Sequence, residues 1–385
     1  IFKRRCAAFR RYANKRRLKM NNHVTVLEID GSALKHNLHH FKKQLHPTTK
    51  ILAVVKAFGY GSDGVQIARF LADKVDYFAV AYTHEGIALR EAGIKAPILV
   101  LHPQIPNLLA IVNYCLEPNL YNFKIFNAFL KVATQTALQE YPIHIKLNTG
   151  LNRLGFCTND IPTLLARLKE TKQLKVQSLF SHLAVSEEIK EQAFTDQQIS
   201  TFSESAQQFQ AGLGYKPILH ILNTSGVINY PKAQFDMVRI GIGLYGFGND
   251  EKETNQLKNT HNLKSIISQI HNIEPKESVG YNRAFIADKK TKTATIPIGH
   301  ADGISRKLGN GIGHVIINGQ KATIIGNVCM DMIMVDITTI DCAEVDEVIV
   351  FNSQEMIQEI ADATATIPYE TLTAISQRVQ KKLKS

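Results

Sequence analysis

A lysine at the end of an apolar run is the first residue of this chain whose position indicates chemistry. Residues 51–55 are apolar and mostly branched, Lys56 follows them directly, and Gly59-Tyr60-Gly61 comes next. Such a run predicts a buried strand with Lys56 at its C-terminal end. A lysine there either reaches solvent or pairs with a carboxylate, or it serves as a nucleophile whose pKa is lowered by burial.

Short β-branched runs recur through the first two thirds of the chain, separated by amphipathic stretches such as 64–74 and 84–93. The candidate strands are 51–56, 77–82, 97–102, 116–121, 143–147, 177–182, 218–222 and 237–240. Alternation of strands and helices predicts parallel βαβ units, and eight strands favour a (β/α)8 barrel, although periodicity alone does not exclude a doubly wound sheet. The fourth run contains Pro118, which weakens that assignment.

The pattern changes after about residue 265, where apolar runs become closely spaced with Gly or Asn between them. These runs are 292–298, 314–318, 321–326, 333–338 and 347–351. They predict an antiparallel β domain, ended by a helix near 369–382. The expected fold class is therefore α/β, with an N-terminal (β/α)8 TIM-like barrel over 23–265 and a mainly antiparallel β domain over 266–385. We expect the first strand, 23–30, to join the β domain.

The positive charge of the chain is confined to one short segment, which bears on whether the protein binds nucleic acid. The net charge of +11 is concentrated in residues 3–19, which hold nine Lys or Arg and no acid, so the rest of the chain is nearly neutral. We expect residues 1–22 to be a disordered basic tail or linker, with Met20 as a natural start or residues 1–19 as the stub of a longer polypeptide. Nucleic-acid binding would rest on this segment alone, and we do not expect it.

Two classes of protein are disfavoured by the rest of the sequence. No apolar run approaches the roughly 20 residues that span a bilayer, so we expect no membrane segment. The five cysteines are scattered without a C-x-x-C pair. This predicts reduced thiols in a cytoplasmic protein without a metal site.

Polar and basic residues follow five of the eight predicted strands, where a barrel carries its active site. They are Lys56 and Tyr60, Lys146 and Arg153, His182, Asn223-Thr224-Ser225, and Arg239 with Gly241. Glycine and hydroxyl-bearing loops expose N–H groups suited to phosphate, although such loops are often structural turns. Together with a lysine they indicate a phosphate-bearing carbonyl cofactor such as pyridoxal phosphate.

The stretch 54–61 (VVKAFGYG) resembles the lysine motif VVKAxAYGHG of the alanine racemases, and further stretches resemble motifs of that family in the same order. They are HIKLNTGLNRLGF (144–156), SHLAVSEE (181–188), HILNTSGV (220–227), MVRIGIGLYG (237–246), SVGYNRAF (278–285), IPIGHADGISRKL (296–308) and GNVCMDMIMVDIT (326–338). The detailed sequence is most similar to racemase domains fused behind a cell-wall muramoyl-tripeptide ligase.

The resemblance implies two catalytic residues. Lys56 would hold pyridoxal phosphate covalently and act as a base on one face of the alanine Cα. Tyr281, supplied by the second subunit of a head-to-tail homodimer, would be the acid/base on the opposite face. A hydrogen-bonded chain through His182 towards Arg239 would stabilise its phenolate, and Arg239 would face the pyridine nitrogen.

The resemblance also implies binding and supporting roles. The implied cofactor-binding residues are Tyr60, Thr224, Ser225, Gly241 and Ile242 at the phosphate, and Asn223 beside them. Arg153 and the backbone N–H of Met330 would bind the substrate carboxylate. The implied supporting residues are Lys146, often carbamylated in the family, with Cys329, Asp331 and His300.

This chain departs from the family pattern at three positions: His300 replaces a tyrosine near the substrate entrance, Asn148 replaces the aspartate of DTG, and Leu383 replaces a phosphate-binding tyrosine. The most favoured function is a pyridoxal-phosphate-dependent alanine racemase that supplies D-alanine for peptidoglycan. The alternatives are a broader amino-acid racemase, a decarboxylase of the same fold, and a non-catalytic cofactor-binding domain of a fused ligase.

Overall fold

The computed structural model of the protein describes residues 23–248 and 250–384. The expected basic tail, 1–22, lies outside the described residues. The described residues divide into two compact units, one within 31–259 and one made of residues 23–30 and 260–384. The C-terminal segment of the second unit begins at Thr260, a few residues before the change of sequence pattern near 266. The reason is that strand His261–Ile266 pairs with strand Val26–Asp30, which belongs to the same unit.

The unit of residues 31–259 is built on eight parallel strands. They are Lys50–Val54, Tyr77–Val80, Ile98–Val100, Glu117–Leu120, Tyr141–Lys146, Leu174–Phe180, Ile218–His220 and Met237–Ile240. Neighbours along the chain pair in order, the last strand pairs with the first, and the Arg239 N–H donates to the Leu222 carbonyl at 3.1 Å. The sheet is therefore closed, which confirms a barrel and rules out the doubly wound alternative.

Helices follow or precede most of these strands. They are Gly31–Gln44, Gly64–Leu71, Thr83–Glu91, Leu108–Asn113, Phe123–Gln135, Ile161–Lys169, Gln192–Leu213, Thr224–Asn229 and Glu251–Thr254, and residues Lys56–Tyr60 form a single left-handed turn. Several begin at a side-chain cap: Asp63 accepts from the N–H groups of Val65 and Gln66, and Asn122 accepts from that of Ile125. Such caps satisfy donors that the first turn leaves unpaired.

The second unit is a nine-stranded, mainly antiparallel sheet. In spatial order its strands are Gln269–Ile273, Thr291–Ile296, Ile333–Asp336, Gln320–Ile325, His314–Ile317, Glu347–Phe351, His261–Ile266, Val26–Asp30 and Gln380–Lys384. A short hairpin, Ser278–Val279 with Phe285–Ile286, and helices Gln354–Thr364 and Pro368–Thr373 complete the unit. Antiparallel β structure was the expectation for this part of the sequence, and the structure confirms it.

The helix expected near 369–382 is wrong over most of its length. Helix Pro368–Thr373 covers only the start of that range, and residues Gln380–Lys384 form a strand parallel to Val26–Asp30. Pairing with a strand from the other end of the sequence outweighs the local helical pattern here. Within the described residues, no helix is both long and apolar enough to cross a membrane.

Candidate active site

The lysine that follows the first barrel strand lies at the start of a left-handed turn. Strand Lys50–Val54 ends two residues before Lys56, and Ala57, Phe58 and Gly59 have φ values of 52°, 55° and 64°. Each non-glycine residue in this region costs about 1–3 kcal/mol and persists only where its surroundings fix it. Here the Gly61 N–H donates to the Ala57 carbonyl at 2.9 Å, which closes the turn.

Glu85 anchors this turn to the next strand, and the sequence analysis did not identify it. Its Oε1 accepts from the Ala57 N–H at 2.7 Å, and its Oε2 accepts from the N–H groups of Ala81 and Tyr82 at 2.7 and 3.0 Å. The carboxylate thereby fixes where Lys56 emerges from the strand. A glutamate at the third position of a helix is a common capping residue, which is the only sequence signal it gives.

Burial is the main reason that the pKa of Lys56 is lowered. The positive charge of Arg153 adds to this effect, and the Glu85 carboxylate opposes it. A lysine with a lowered pKa has more of its amine in the neutral, nucleophilic form.

Hydroxyl groups and glycines from the seventh and eighth strands collect beside Tyr60. Thr224 Oγ1 accepts from the N–H groups of Gly241 and Gly243, at 3.2 and 3.4 Å. Gly241 lies so close to Tyr60 that a Cβ at that position would come within 2.4 Å of the tyrosine oxygen. Thr224 and Ser225 are both buried. The structure therefore brings Tyr60, Thr224 and Gly241 together, as a phosphate site requires.

The two flanking residues named from the sequence have clear local roles. Asn223 caps helix Thr224–Asn229, because its Oδ1 accepts from the Gly226 N–H at 2.9 Å and from the Ser186 hydroxyl at 2.9 Å. Ile242 is buried and begins the 3-10 turn Ile242–Tyr245. Both lie next to the cluster of Tyr60, Thr224 and Gly241 along the chain.

Arg239 is buried on the eighth strand and donates to five acceptors. Its Nη1 donates to His220 Nδ1 at 2.7 Å and to the His220 carbonyl. Its Nη2 donates to the carbonyls of Ser181 and Ile221, at 2.7 and 2.8 Å, and to His182 Nδ1 at 3.1 Å. Among the described residues, no hydrogen-bond acceptor faces Nε. That N–H is the guanidinium donor available to a bound molecule.

The charge states of this group follow from burial. Removal from water lowers the pKa of Arg239 to about 9, still far enough above neutral pH for the guanidinium to stay protonated. Removal from water, together with the charge of Arg239, lowers the pKa of His182 well below its usual value, so that ring is neutral. Because Arg239 donates to Nδ1, the His182 proton is on Nε2.

Lys146 ends the fifth strand, and Arg153 lies on the loop that follows. Burial, with the positive charges of Arg153, Arg239 and Lys56, lowers the pKa of Lys146 to about 7. The loop is held by paired backbone bonds between Asn148 and Phe156 and between Phe156 and Lys146, each of 2.8 Å. Asn148 supports the loop as an aspartate would, since its Oδ1 accepts from the N–H groups of Gly150 and Asn152.

The other predicted site residues belong to the β unit. Tyr281 is 71% exposed and follows the first strand of the short hairpin. Met330 is 58% exposed, in the turn Cys329–Asp331 that the Cys329 N–H closes by donating to the Met332 carbonyl. His300 is exposed, and its N–H donates to the Cys329 carbonyl at 2.9 Å.

Arg378 forms ion pairs with two of these loops, the one that contains His300 and the one that contains Met330. Its Nη2 contacts Asp331 Oδ1 at 2.7 Å, and its Nε lies 3.1 Å from Asp302 Oδ1. Asp331 thus supports the turn that presents Met330. Among the described residues, no group of three or more His, Cys, Asp or Glu side chains has the arrangement of a metal site.

Comparison with known proteins places the chain in a family. Residues 29–248 match the model of the alanine racemase N-terminal domain, and residues 260–383 match that of the C-terminal domain. Alanine racemase 2 of Oceanobacillus iheyensis is 33% identical over 93% of this chain and 92% of that protein. The alanine racemase of Thermodesulfovibrio yellowstonii is 34% identical over 92% and 96%.

Solved structures agree with this placement. The alanine racemase of Clostridium difficile 630 has a TM-score of 0.87 at 30% identity, covering 94% of this chain and 96% of that one. The alanine racemase of Bartonella henselae with covalently bound pyridoxal phosphate has a TM-score of 0.83 at 26% identity, covering 94% and 100%. With family models that match both units, the chain belongs to the alanine racemase family of enzymes.

Proposed function

We propose that this enzyme uses pyridoxal phosphate and two bases to interconvert L- and D-alanine. The observation that carries the proposal is the barrel end where Lys56, an amine with a lowered pKa, and Tyr60 follow the first strand, and Thr224 and Gly241 follow the seventh and eighth. The related Bartonella henselae enzyme holds the same cofactor covalently.

The residues present suit this cofactor. Tyr60, Thr224, Ser225 and the backbone at Gly241 and Ile242 offer hydroxyl and N–H groups without a carboxylate, as a phosphate requires. Lys56 would hold the aldehyde carbon covalently. Arg239 would donate its Nε–H to the ring nitrogen and, since it stays protonated, would leave that nitrogen neutral. The cofactor supplies an electron sink for the charge left when the substrate loses its α-proton.

Inversion needs a proton removed from one face of Cα and returned to the other. Lys56 would act on one face and the partner subunit's Tyr281 on the other, so the active form would be a head-to-tail homodimer. A phenol with a reference pKa of about 10 is a poor base at neutral pH. Neutral His182, whose Nδ1 accepts from Arg239 and whose Nε2 carries the proton, could donate to the phenolate and stabilise it.

Substrate binding would use positive charge and backbone donors. The Arg153 guanidinium and the N–H of Met330 would bind the alanine carboxylate. Carbamylated Lys146 would carry a negative charge that orients Arg153. In the β unit, Cys329 and Asp331 would shape the turn that carries Met330, and His300 would line the substrate entrance.

The first test is D-alanine formation from L-alanine by the purified protein with added pyridoxal phosphate. Lys56→Ala should lose about a thousandfold or more in activity, whereas Lys131→Ala, an exposed lysine on helix Phe123–Gln135, should match the wild type. L-Serine as a second substrate distinguishes an alanine racemase from a broader amino-acid racemase. Retention of the cofactor without turnover of either amino acid would overturn the proposal.

The biological setting is a further part of the proposal. D-Alanine made in the cytoplasm would supply peptidoglycan precursors, and a strain lacking this gene should then need external D-alanine. We also propose, from the likeness to racemase domains behind a muramoyl-tripeptide ligase, that this chain is fused to such a ligase. An immunoblot of source cells tests the fusion. A band well above 43 kDa would support the fusion, and a band at the mass of this chain would contradict it.

A further inference from the structure

A continuous chain of hydrogen bonds links Arg239 to a carboxylate on the fourth barrel strand. Glu117 Oε2 lies 2.7 Å from His144 Nε2, and His144 Nδ1 lies 2.5 Å from Ser178 Oγ. Ser178 Oγ in turn lies 2.9 Å from His220 Nε2, and His220 Nδ1 lies 2.7 Å from Arg239 Nη1. We call these five residues the buried chain.

The register of the barrel places these side chains next to one another. The fourth to eighth strands each contribute one member, and His144 is the direct cross-strand partner of Ser178. His144, Ser178 and His220 are fully buried, while the Glu117 side chain is 12% exposed. At such sites an unpaired polar group is costly, so the complete pairing of the three central residues constrains where every proton lies.

The donor-only chemistry of arginine sets the direction of the whole chain. Arg239 can only donate, so His220 Nδ1 accepts and the proton of this ring must be on Nε2. His220 is neutral because burial and the charge of Arg239 lower its pKa well below the usual value. Its Nε2–H therefore donates to Ser178.

The remaining two bonds follow by the same reasoning. The single hydroxyl proton of Ser178 is left to donate to His144 Nδ1. His144 then carries its own proton on Nε2 and donates it to the Glu117 carboxylate. Every bond in the buried chain thus points away from the guanidinium and towards the negative charge.

The acidic side chains among the described residues offer Arg239 no direct counter-charge. Among the described residues, no carboxylate forms an ion pair with it, and its acceptors are three carbonyl groups and two imidazoles. A buried cation without a nearby anion is unfavourable. Glu117 is the carboxylate that the hydrogen bonds connect to it.

Glu117 has other charged and titratable neighbours. Burial raises the pKa of Tyr77, and the negative charge of Glu117 adds to this effect. Burial also raises the pKa of Tyr141, with smaller contributions from Cys115 and Glu117. Arg90 also lies near it, but that guanidinium donates to four backbone carbonyls, of Tyr114, Ile94, Ala96 and Cys115. The described residues show an ion pair of Glu117 with His144 alone.

We propose that Glu117, His144, Ser178 and His220 are positioning residues that fix the orientation of the Arg239 guanidinium. If His220 carried its proton on Nδ1, that proton would face the Nη1–H of Arg239, and the guanidinium would have to turn. With the proton held on Nε2, both terminal nitrogens stay engaged, and Nε–H would be left to donate to the ring nitrogen of the cofactor. This inference rests on the role proposed above for Arg239.

Proton positions test the proposal directly, through neutron diffraction from deuterated crystals of the full chain with bound pyridoxal phosphate. We expect deuterium on Nε2 and none on Nδ1 of both His144 and His220. Deuterium on Nδ1 of either ring would break the directed chain and overturn the proposal. This measurement needs no turnover, so its outcome is independent of whether the racemase assignment holds.

Variants of the buried chain test whether it affects cofactor binding and turnover through Arg239. Ser178→Ala interrupts the buried chain, Glu117→Gln keeps an acceptor oxygen but removes the charge, and Ser205→Ala is a matched control at a buried serine of helix Gln192–Leu213. The measurements are the dissociation constant for pyridoxal phosphate of the cofactor-free protein, and kcat and KM for alanine. A role through Arg239 alters cofactor affinity and kcat and leaves the KM for alanine nearly constant.

Ser178→Ala should weaken cofactor binding and lower kcat by about tenfold each, and Glu117→Gln by about threefold each, with KM changed less than about twofold. Ser205→Ala should match the wild type. Should Ser178→Ala fail to fold, the nearly isosteric Glu117→Gln decides the matter. Wild-type cofactor affinity and kcat in folded Glu117→Gln would overturn the role of the carboxylate.

Discussion

The amine of Lys146 is surrounded by positive charge. Burial and the cations Arg153, Arg239 and Lys56 bring its pKa to about 7, against an ordinary value of 10.5. The protonated amine is therefore disfavoured, and the neutral fraction rises as pH rises through 7. A neutral amine can attack carbon dioxide, lose a proton and form a carbamate, whose negative charge would be favourable between these cations.

Carbamate formation on Lys146 should therefore depend on pH. Incubation with 13C-labelled bicarbonate should give a carbamate signal in the 13C NMR spectrum that is strong at pH 8, weaker at pH 7 and nearly absent at pH 6, because only the neutral amine reacts. Lys146→Met should give no such signal at any of these values. Equal signals from the variant and the wild type would place the carbamate on another amine.

Single residues differ in how far the sequence could predict them. Lys56, Tyr60 and Arg239 could be proposed from the sequence because each lies at or just after the C-terminal end of a predicted strand, within a recognisable motif, and the barrel fold brings strand ends to one face. Ser178 and Glu117 gave no such signal. A serine within a strand and a glutamate at the start of one are ordinary, and only the register between neighbouring strands shows that they are linked through His144.

Helices and strands could be predicted from local sequence patterns where their tertiary contacts favour the same structure. All eight barrel strands were predicted within a few residues, including Glu117–Leu120 despite Pro118, since a parallel barrel strand forms backbone hydrogen bonds at only part of its N–H groups. The C-terminal strand Gln380–Lys384 was missed because its partner, Val26–Asp30, lies at the far end of the chain. A pattern confined to nearby residues contains no information about such a partner.

The loop that carries Arg153 depends on one glycine. Gly155 has a φ of 136°, and a Cβ there would lie 2.5 Å from the Asn148 nitrogen and 2.6 Å from the Leu147 carbonyl carbon. These contacts are backbone atoms in the pairing that closes the loop, so they cannot move aside cheaply. Gly93 offers a matched comparison, since it has a φ of 88° but open space around its Cβ position.

We therefore expect Gly93→Ala to lower the free energy of unfolding by about 1 kcal/mol, the effect of backbone strain alone. Gly155→Ala adds the steric clash and should cost about 4 kcal/mol or more. It should also raise the KM for alanine, because Arg153 would be displaced. Urea denaturation and steady-state kinetics measure both effects. Equal losses of stability in the two variants would show that the clash is relieved without cost.

At the scale of the whole molecule, the proposed site residues are divided between the two units. Lys56 belongs to the barrel, whereas Tyr281 and Met330 lie on exposed loops of the β unit. Two further apolar side chains near them in sequence, Ile286 and Met332, are also largely exposed, at 55% and 45%. In the homodimer proposed above, a second copy of the chain would cover these loops and contribute Tyr281 to the site.

Mixing two inactive variants tests this division. In a dimer of one Lys56→Ala chain and one Tyr281→Phe chain, one site has both defects, whereas the other combines the intact Lys56 of one chain with the intact Tyr281 of its partner. Random re-association of equal amounts should therefore restore about a quarter of the wild-type activity, since about half the dimers are mixed and each has one intact site. If both residues served the same chain, every site would lack one of them, and activity would stay at the level of the separate variants. Size-exclusion chromatography of differently tagged chains, done beforehand, establishes that the mixed dimer forms, so a failure to restore activity would count against shared sites rather than against exchange.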